Sequence, residues 1–84
     1  MAPQLHYPSV SRRMGEAGKV LVRVWVTEAG MPTQVQVRES SSFPRLDEAA
    51  VSAVQGARFK PYLNNGRPTA GWVFIPLVFN LESS

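Results

Sequence analysis

The sequence predicts an α+β fold: a two-layer domain whose three-stranded antiparallel sheet, ordered second-first-last, carries two helices packed on one face. Three observations carry that expectation. Lys19 to Glu28 alternates cleanly, with Val20, Val22, Val24 and Val26 on one side. Leu46, Ala49, Ala50, Ala53, Val54 and Ala57 recur at helical spacing. Gly71 to Leu81 is a long apolar run with Pro76 in its middle; proline lacks a backbone N–H, so this strand belongs at a sheet edge.

Each element has a local reason. Met1 to His6 carries no pattern and reads as an extended arm, with the folded domain spanning residues 7–82. Pro8 suits a first helical turn, and Pro8 to Met14 reads as a short helix with Val10 and Met14 four apart on one face, closed by Gly15 and Gly18. After the first strand, Ala29-Gly30-Met31-Pro32 supplies a turn, and Thr33 to Glu39 returns as the second strand with Val35 and Val37 inward. Ser40 to Ser42 offer N-cap candidates for the Leu46 to Ala57 helix, whose small alanines permit close approach to a sheet. Gly56 weakens its last turn. Lys60-Pro61 ends it, and Asn64-Asn65-Gly66-Arg67-Pro68 reads as a loop before the last strand.

Length and composition narrow the function. Eighty-four residues bury one core but do not enclose a large pocket. The absence of cysteine removes disulfides, thiolate metal sites and cysteine nucleophiles. The net charge of +3 is dispersed along the chain rather than concentrated, which argues against a nucleic-acid partner. His6 has no metal-ligating company, and Asp47 and Glu48 point about 100° apart on a helix, where acidic residues complement the helix dipole. The glycines form no phosphate-binding pattern and the serines no nucleophile elbow. No cofactor, metal or catalytic constellation is expected. Trp25, Trp72 and Phe74 beside Lys19 and Arg23 have the ingredients of an RNA-stacking platform, but filling the less covered sheet face or a contact surface is the simpler reading.

The succession Tyr7-Pro8, Gly18 before a valine-rich strand, Gly30 in the turn, Ser40-Ser41 then Pro44-Arg45-Leu46-Asp47-Glu48-Ala49-Ala50, Arg58-Phe59-Lys60-Pro61, Gly66-Arg67-Pro68, and a final strand with Ile75-Pro76 and Phe79 resembles the TonB C-terminal domain. The resemblance runs from Leu5 to Glu82. Ser42 departs from it, standing where many members have glycine, and Asn64-Asn65 lengthens a loop. The resemblance implies the periplasmic domain of an energy transducer, anchored to the inner membrane through an N-terminal helix and spacer absent from this sequence. It also implies ExbB and ExbD as inner-membrane partners and, as the outer-membrane partner, a TonB-dependent transporter of the kind that takes up iron-siderophores. The domain would pair its last strand with the transporter's TonB box.

On that reading Val73, Ile75, Leu77 and Phe79 bond to the first strand, while Trp72, Phe74, Pro76, Val78 and Asn80 direct their backbone groups to the open edge. These five residues, with Leu5, Tyr7 and Pro8 from the N-terminal segment, are the candidate partner-binding set. The alternative occupant of the same edge is a second copy of the chain, making a homodimer of a structural module.

Overall fold

The structure, a computed structural model, describes residues 5–83. Of the arm expected over residues 1–6, residues 1–4 lie outside the described residues; Leu5 and His6 lead without regular structure into α1, Ser9–Arg13. Then follow β1 (Gly18–Val26), β2 (Pro32–Glu39), α2 (Pro44–Gln55), a small hairpin of β3 (Tyr62–Asn64) and β4 (Arg67–Thr69), and β5 (Gly71–Phe79). The main sheet has the order β2-β1-β5 and is antiparallel throughout. The last strand therefore lies beside the first, a placement that the crossover through α2 allows.

The valine alternation sets the core. Val20, Val22, Val24 and Val26 are buried on one face of β1 and pack with Leu46, Ala50, Ala53 and Val54 of α2 and with Leu77 and Phe79 of β5. Alanine at two of these helix positions lets α2 lie close to the sheet, and burying the larger aliphatic side chains contributes about 1.5–3 kcal/mol each. A three-residue turn joins β1 to β2: Gly30 N–H donates to Thr27 O at 2.9 Å and Thr27 N–H to Met31 O at 2.9 Å. Gly30 sits at φ +80°, and a Cβ there would meet the Phe59 carbonyl oxygen at 2.1 Å. The close approach is used, because Phe59 N–H donates to Gly30 O at 2.9 Å and so ties the segment after α2 to the hairpin turn.

Several local expectations change. Val10 and Met14 stand outward, and Ser11 is the buried residue of α1. This helix ends in a Schellman pair, Gly15 N–H to Arg12 O at 3.2 Å and Glu16 N–H to Ser11 O at 2.9 Å. None of the three serines caps α2: Phe43 holds the N-cap position and Pro44 begins the helix. Instead Asp47 reaches back from the helix to accept from Ser41 N–H at 2.9 Å, Ser41 Oγ at 2.7 Å and the Ser40 hydroxyl. Val35 packs against the core, but Val37 remains exposed at the sheet margin. The last strand stops at Phe79, where the Asn80 side-chain oxygen accepts from Glu82 N–H at 2.9 Å and starts a short 3-10 turn.

The largest change is the segment expected to be a loop. Asn65 at φ +52° and Gly66 at φ +79° form the tight turn of a hairpin, with Tyr62 opposite Thr69 and Asn64 opposite Arg67. Positive φ at both central positions is the requirement of a type I′ turn, and Asn-Gly is the pair that meets it most readily.

Candidate partner-binding edge

The sheet has two outer strands, and they differ. In β2 the pairing with β1 slips twice, between Leu21 and Val22 and between Arg23 and Trp25, and Gln34 in this strand takes φ +48°. Bulges of this kind twist an edge and interrupt the row of donors and acceptors. Pairing of β5 with β1 runs instead without a slip from Gly18 opposite Phe79 to Val26 opposite Gly71. Its outer edge is straight.

Backbone direction on that edge follows from β1. Thr27 N–H donates toward β2, to Met31 O. Residues of the same parity in β1, among them Leu21, Arg23 and Trp25, thus turn their backbone groups to β2, and Val20, Val22 and Val24 turn theirs to β5. Their partners are Leu77, Ile75 and Val73. Pro76, opposite Leu21, falls in a pair that exchanges no ladder bonds, and its missing N–H points outward. Trp72, Phe74 and Val78 share its parity, as the sequence predicts.

The same alternation divides the side chains. Val73, Ile75, Leu77 and Phe79 face the helices, whereas Phe74 and Val78 are 53% and 59% exposed on the opposite face. On that open face Trp25 and Trp72, directly paired across β1 and β5, meet edge to face at 5.2 Å. The Arg23 guanidinium carbon lies 4.0 Å above the Trp72 ring and its Nη2 donates to Gln36 Oε1 at 2.6 Å. Arg23 thus covers one face of Trp72. The tryptophans form a packed cross-strand cluster, while Phe74 and Val78 project.

The N-terminal candidates gather at the other end of the strand. Tyr7 packs edge-on against Phe79 with ring centroids 5.2 Å apart, and its hydroxyl donates to the Glu16 carbonyl. Arg12 stacks over the Tyr7 ring at 4.8 Å. Pro8 is half-buried at the α1 N-cap, and Leu5 is exposed. The fold therefore brings Tyr7 and Pro8 to the Phe79 end of β5, near Val78 and Asn80 in sequence, and leaves Trp72 and Phe74 toward the opposite end.

Two carboxylates hold this scaffold together. Glu16 takes a two-pronged contact from Arg45, Nη2 to Oε2 at 2.7 Å and Nε to Oε1 at 3.3 Å, which links the α1 turn to the first turn of α2. The Glu16 carboxyl is held below the usual carboxylate range against the opposing effect of burial: the nearby Ser11 hydroxyl favours the ionised form although its oxygen completes no hydrogen bond in this geometry, and Arg45 adds a formed hydrogen bond and its charge. For Asp47, burial pulls upward, but the bonds from Ser40 and Ser41 together outweigh it and the pKa is lowered. Among the described residues, no three His, Cys, Asp or Glu side chains are grouped to hold a metal ion, and no helix is long and apolar enough to cross a membrane.

Residues 3–81 match the family described as the Gram-negative bacterial TonB protein C-terminal. The chain belongs to the TonB C-terminal domain family. It is 40% identical over 80 residues to the protein tonB2 of Pseudomonas aeruginosa, a match that covers 95% of this chain and 30% of that protein. With the TonB protein of Vibrio cholerae it shares 33% identity over 79 residues, covering 94% of the chain and 32% of the relative. The chain thus spans about a third of the length of these relatives. The solution structure of the Pseudomonas aeruginosa TonB C-terminal domain superimposes with a TM-score of 0.79 at 25% identity, over 95% of this chain and 81% of that one. The Helicobacter pylori TonB C-terminal domain, residues 194–285, gives 0.72 at 25% identity, over 92% and 80%.

One residue of this TonB domain's edge was outside the candidate set. Tyr62, from β3, donates its hydroxyl to the Trp72 carbonyl at 2.9 Å. That carbonyl has the outward parity of Pro76, so one acceptor of the open edge is already occupied. The signal for it lay in Asn65-Gly66: reading that pair as a type I′ turn places Tyr62 in a hairpin strand that returns directly into β5.

Proposed function

We propose that this TonB domain receives an extended segment of an outer-membrane transporter, its TonB box, as an added strand on the outer edge of β5. The parent protein then passes inner-membrane-derived force to that segment during substrate uptake. In this reading the domain works in the periplasm, and its parent is anchored in the inner membrane and coupled there to ExbB and ExbD. The domain is a mechanical adaptor and performs no catalysis.

The observation that carries the reading is the contrast between the edges: β2 slips twice against β1, whereas β5 keeps one register along its whole length. A guest strand needs evenly spaced donors and acceptors, and β5 is the strand that offers them. Pro76 removes one donor but keeps its carbonyl, so the guest aligns around that gap. Exposed Phe74 and Val78 flank it and supply apolar contacts beside the main-chain bonds. Leu5, Tyr7 and Pro8 would meet the part of the guest that runs past Val78 and Asn80. Ordering a flexible peptide offsets much of what these few bonds contribute, so an isolated box should bind in the micromolar range or more weakly.

Titrating a transporter's TonB-box peptide into the isotope-labelled domain tests this by amide shifts. Changes should concentrate at Phe74 to Val78 and fade across β1 to β2. A response centred on β2 would refute the assignment of the edge.

A further inference from the structure

The open edge of β5 has a built end. Tyr62 is placed by the β3–β4 hairpin so that its hydroxyl reaches the Trp72 carbonyl at 2.9 Å. A Cβ on Gly71 would lie 2.7 Å from the Tyr62 ring, so the ring rests directly against the Gly71 backbone. By the alternation of β5, position 71 has the parity of Val73 and Ile75 and its absent side chain would point to the helix-bearing face. The ring therefore sits on that face while the hydroxyl turns around the strand to the outer edge. Nothing in the β1–β5 ladder requires a glycine opposite Val26; the requirement comes from Tyr62.

We infer that Tyr62 terminates the docking edge and confines an added strand to the stretch from Phe74 toward Val78. The inference rests on strand addition to β5 and sharpens it. A guest that continued past Phe74 would have to reach the Trp72 carbonyl through the space where the Tyr62 hydroxyl already bonds it, and the ring packed at Gly71 holds that hydroxyl in the way. The hairpin thereby fixes the guest's register from one side, while Pro76 marks it from within. Tyr62 is a positioning residue: it selects how far the guest runs rather than adding to its contacts.

Amide hydrogen exchange separates the two layers of the argument. The probe is a synthetic peptide carrying a transporter's TonB box with several further residues at each end, added to saturation to the wild-type domain, Tyr62→Ala and Gly71→Ala. The last variant evicts the ring by occupying its seat. Peptide should slow exchange at Phe74 and Val78 in all three proteins. At Trp72 it should change nothing in the wild type and slow exchange at least tenfold in both variants. Slowing at Trp72 in the wild type, or none there in either variant, overturns the terminator while leaving strand addition intact. If Phe74 and Val78 do not respond in any protein, strand addition fails and the terminator fails with it. Should Tyr62→Ala lose its native spectrum, Tyr62→Phe serves, since it keeps the ring and removes only the hydroxyl.

Discussion

Leu21 and Pro76 stand opposite each other in the β1–β5 ladder, at a pair where neither residue lends a hydrogen bond to the other. The sheet is therefore indifferent to the missing N–H of Pro76, and the cost falls on the outer edge alone. A second proline at a position of the same parity should behave alike.

Val78→Pro tests that directly. Its N–H points outward, so the domain should fold with a melting temperature within a few degrees of the wild type. Binding of a TonB-box peptide should fall at least tenfold, because two of the outward donors of β5 are then gone. Calorimetric titration beside thermal unfolding reads both quantities, and unchanged affinity in a folded variant would reject strand addition on this edge.

Gly30→Ala should be among the most damaging single changes outside the valine core. The added methyl carbon would lie 2.1 Å from the Phe59 carbonyl oxygen, at a φ that L-residues rarely adopt. Relieving the clash sacrifices the Phe59–Gly30 hydrogen bond, so a loss of more than about 2 kcal/mol is expected in urea unfolding.

Ser42→Gly should act in the opposite direction. Ser42 sits at φ +76° in the loop ahead of α2, a conformation that glycine adopts without the steric cost of a Cβ. Removing its Cβ relieves left-handed strain, partly offset by the greater freedom of glycine in the unfolded chain, and a gain of about 0.5–1 kcal/mol is expected. Equilibrium unfolding of the variant and wild type decides it.

Acid should weaken the fold through Glu16 and Asp47. Both carboxyls titrate lower in the folded protein than in the unfolded chain, where about 4 is usual. Their contribution is therefore complete above that value and is lost as the pH falls through the folded pKa values. Melting temperatures measured between pH 6 and 2, bounds that bracket about 4 generously, should drop less in a Glu16→Gln, Asp47→Ala double variant than in the wild type.

What was legible in the chain was whatever repeats. The valine alternation fixed β1 and its buried face, and the alanine stripe fixed α2. Pro76 alone placed β5 at an edge with the correct parity. What escaped depends on single contacts between segments distant in sequence. No pattern announces that Asp47 would tie down Ser40 and Ser41 instead of a serine capping the helix, because both arrangements satisfy the same donors. Val10 and Met14 have helical spacing, yet a five-residue helix leaves that face outside the core. The bulges of β2 follow from its packing on β1 and have no glycine to mark them. Tyr62 escapes for a different reason: the strands of its hairpin are three residues each and almost wholly exposed, so no alternation flanks the Asn65-Gly66 turn that aims it.

The unequal edges also decide what a second copy of this domain can do. Were both outer strands straight, β5 of one molecule could pair with β2 of the next, and that head-to-tail contact repeats without end. With β2 bulged at two points, the regular edge-to-edge pairing open to two molecules is β5 to β5. Such a contact maps onto itself under a twofold rotation and leaves no straight edge over. Growth by that contact halts at a pair, so a β5 edge kept bare for a guest, as the proposed function requires, does not by itself lead to a fibre.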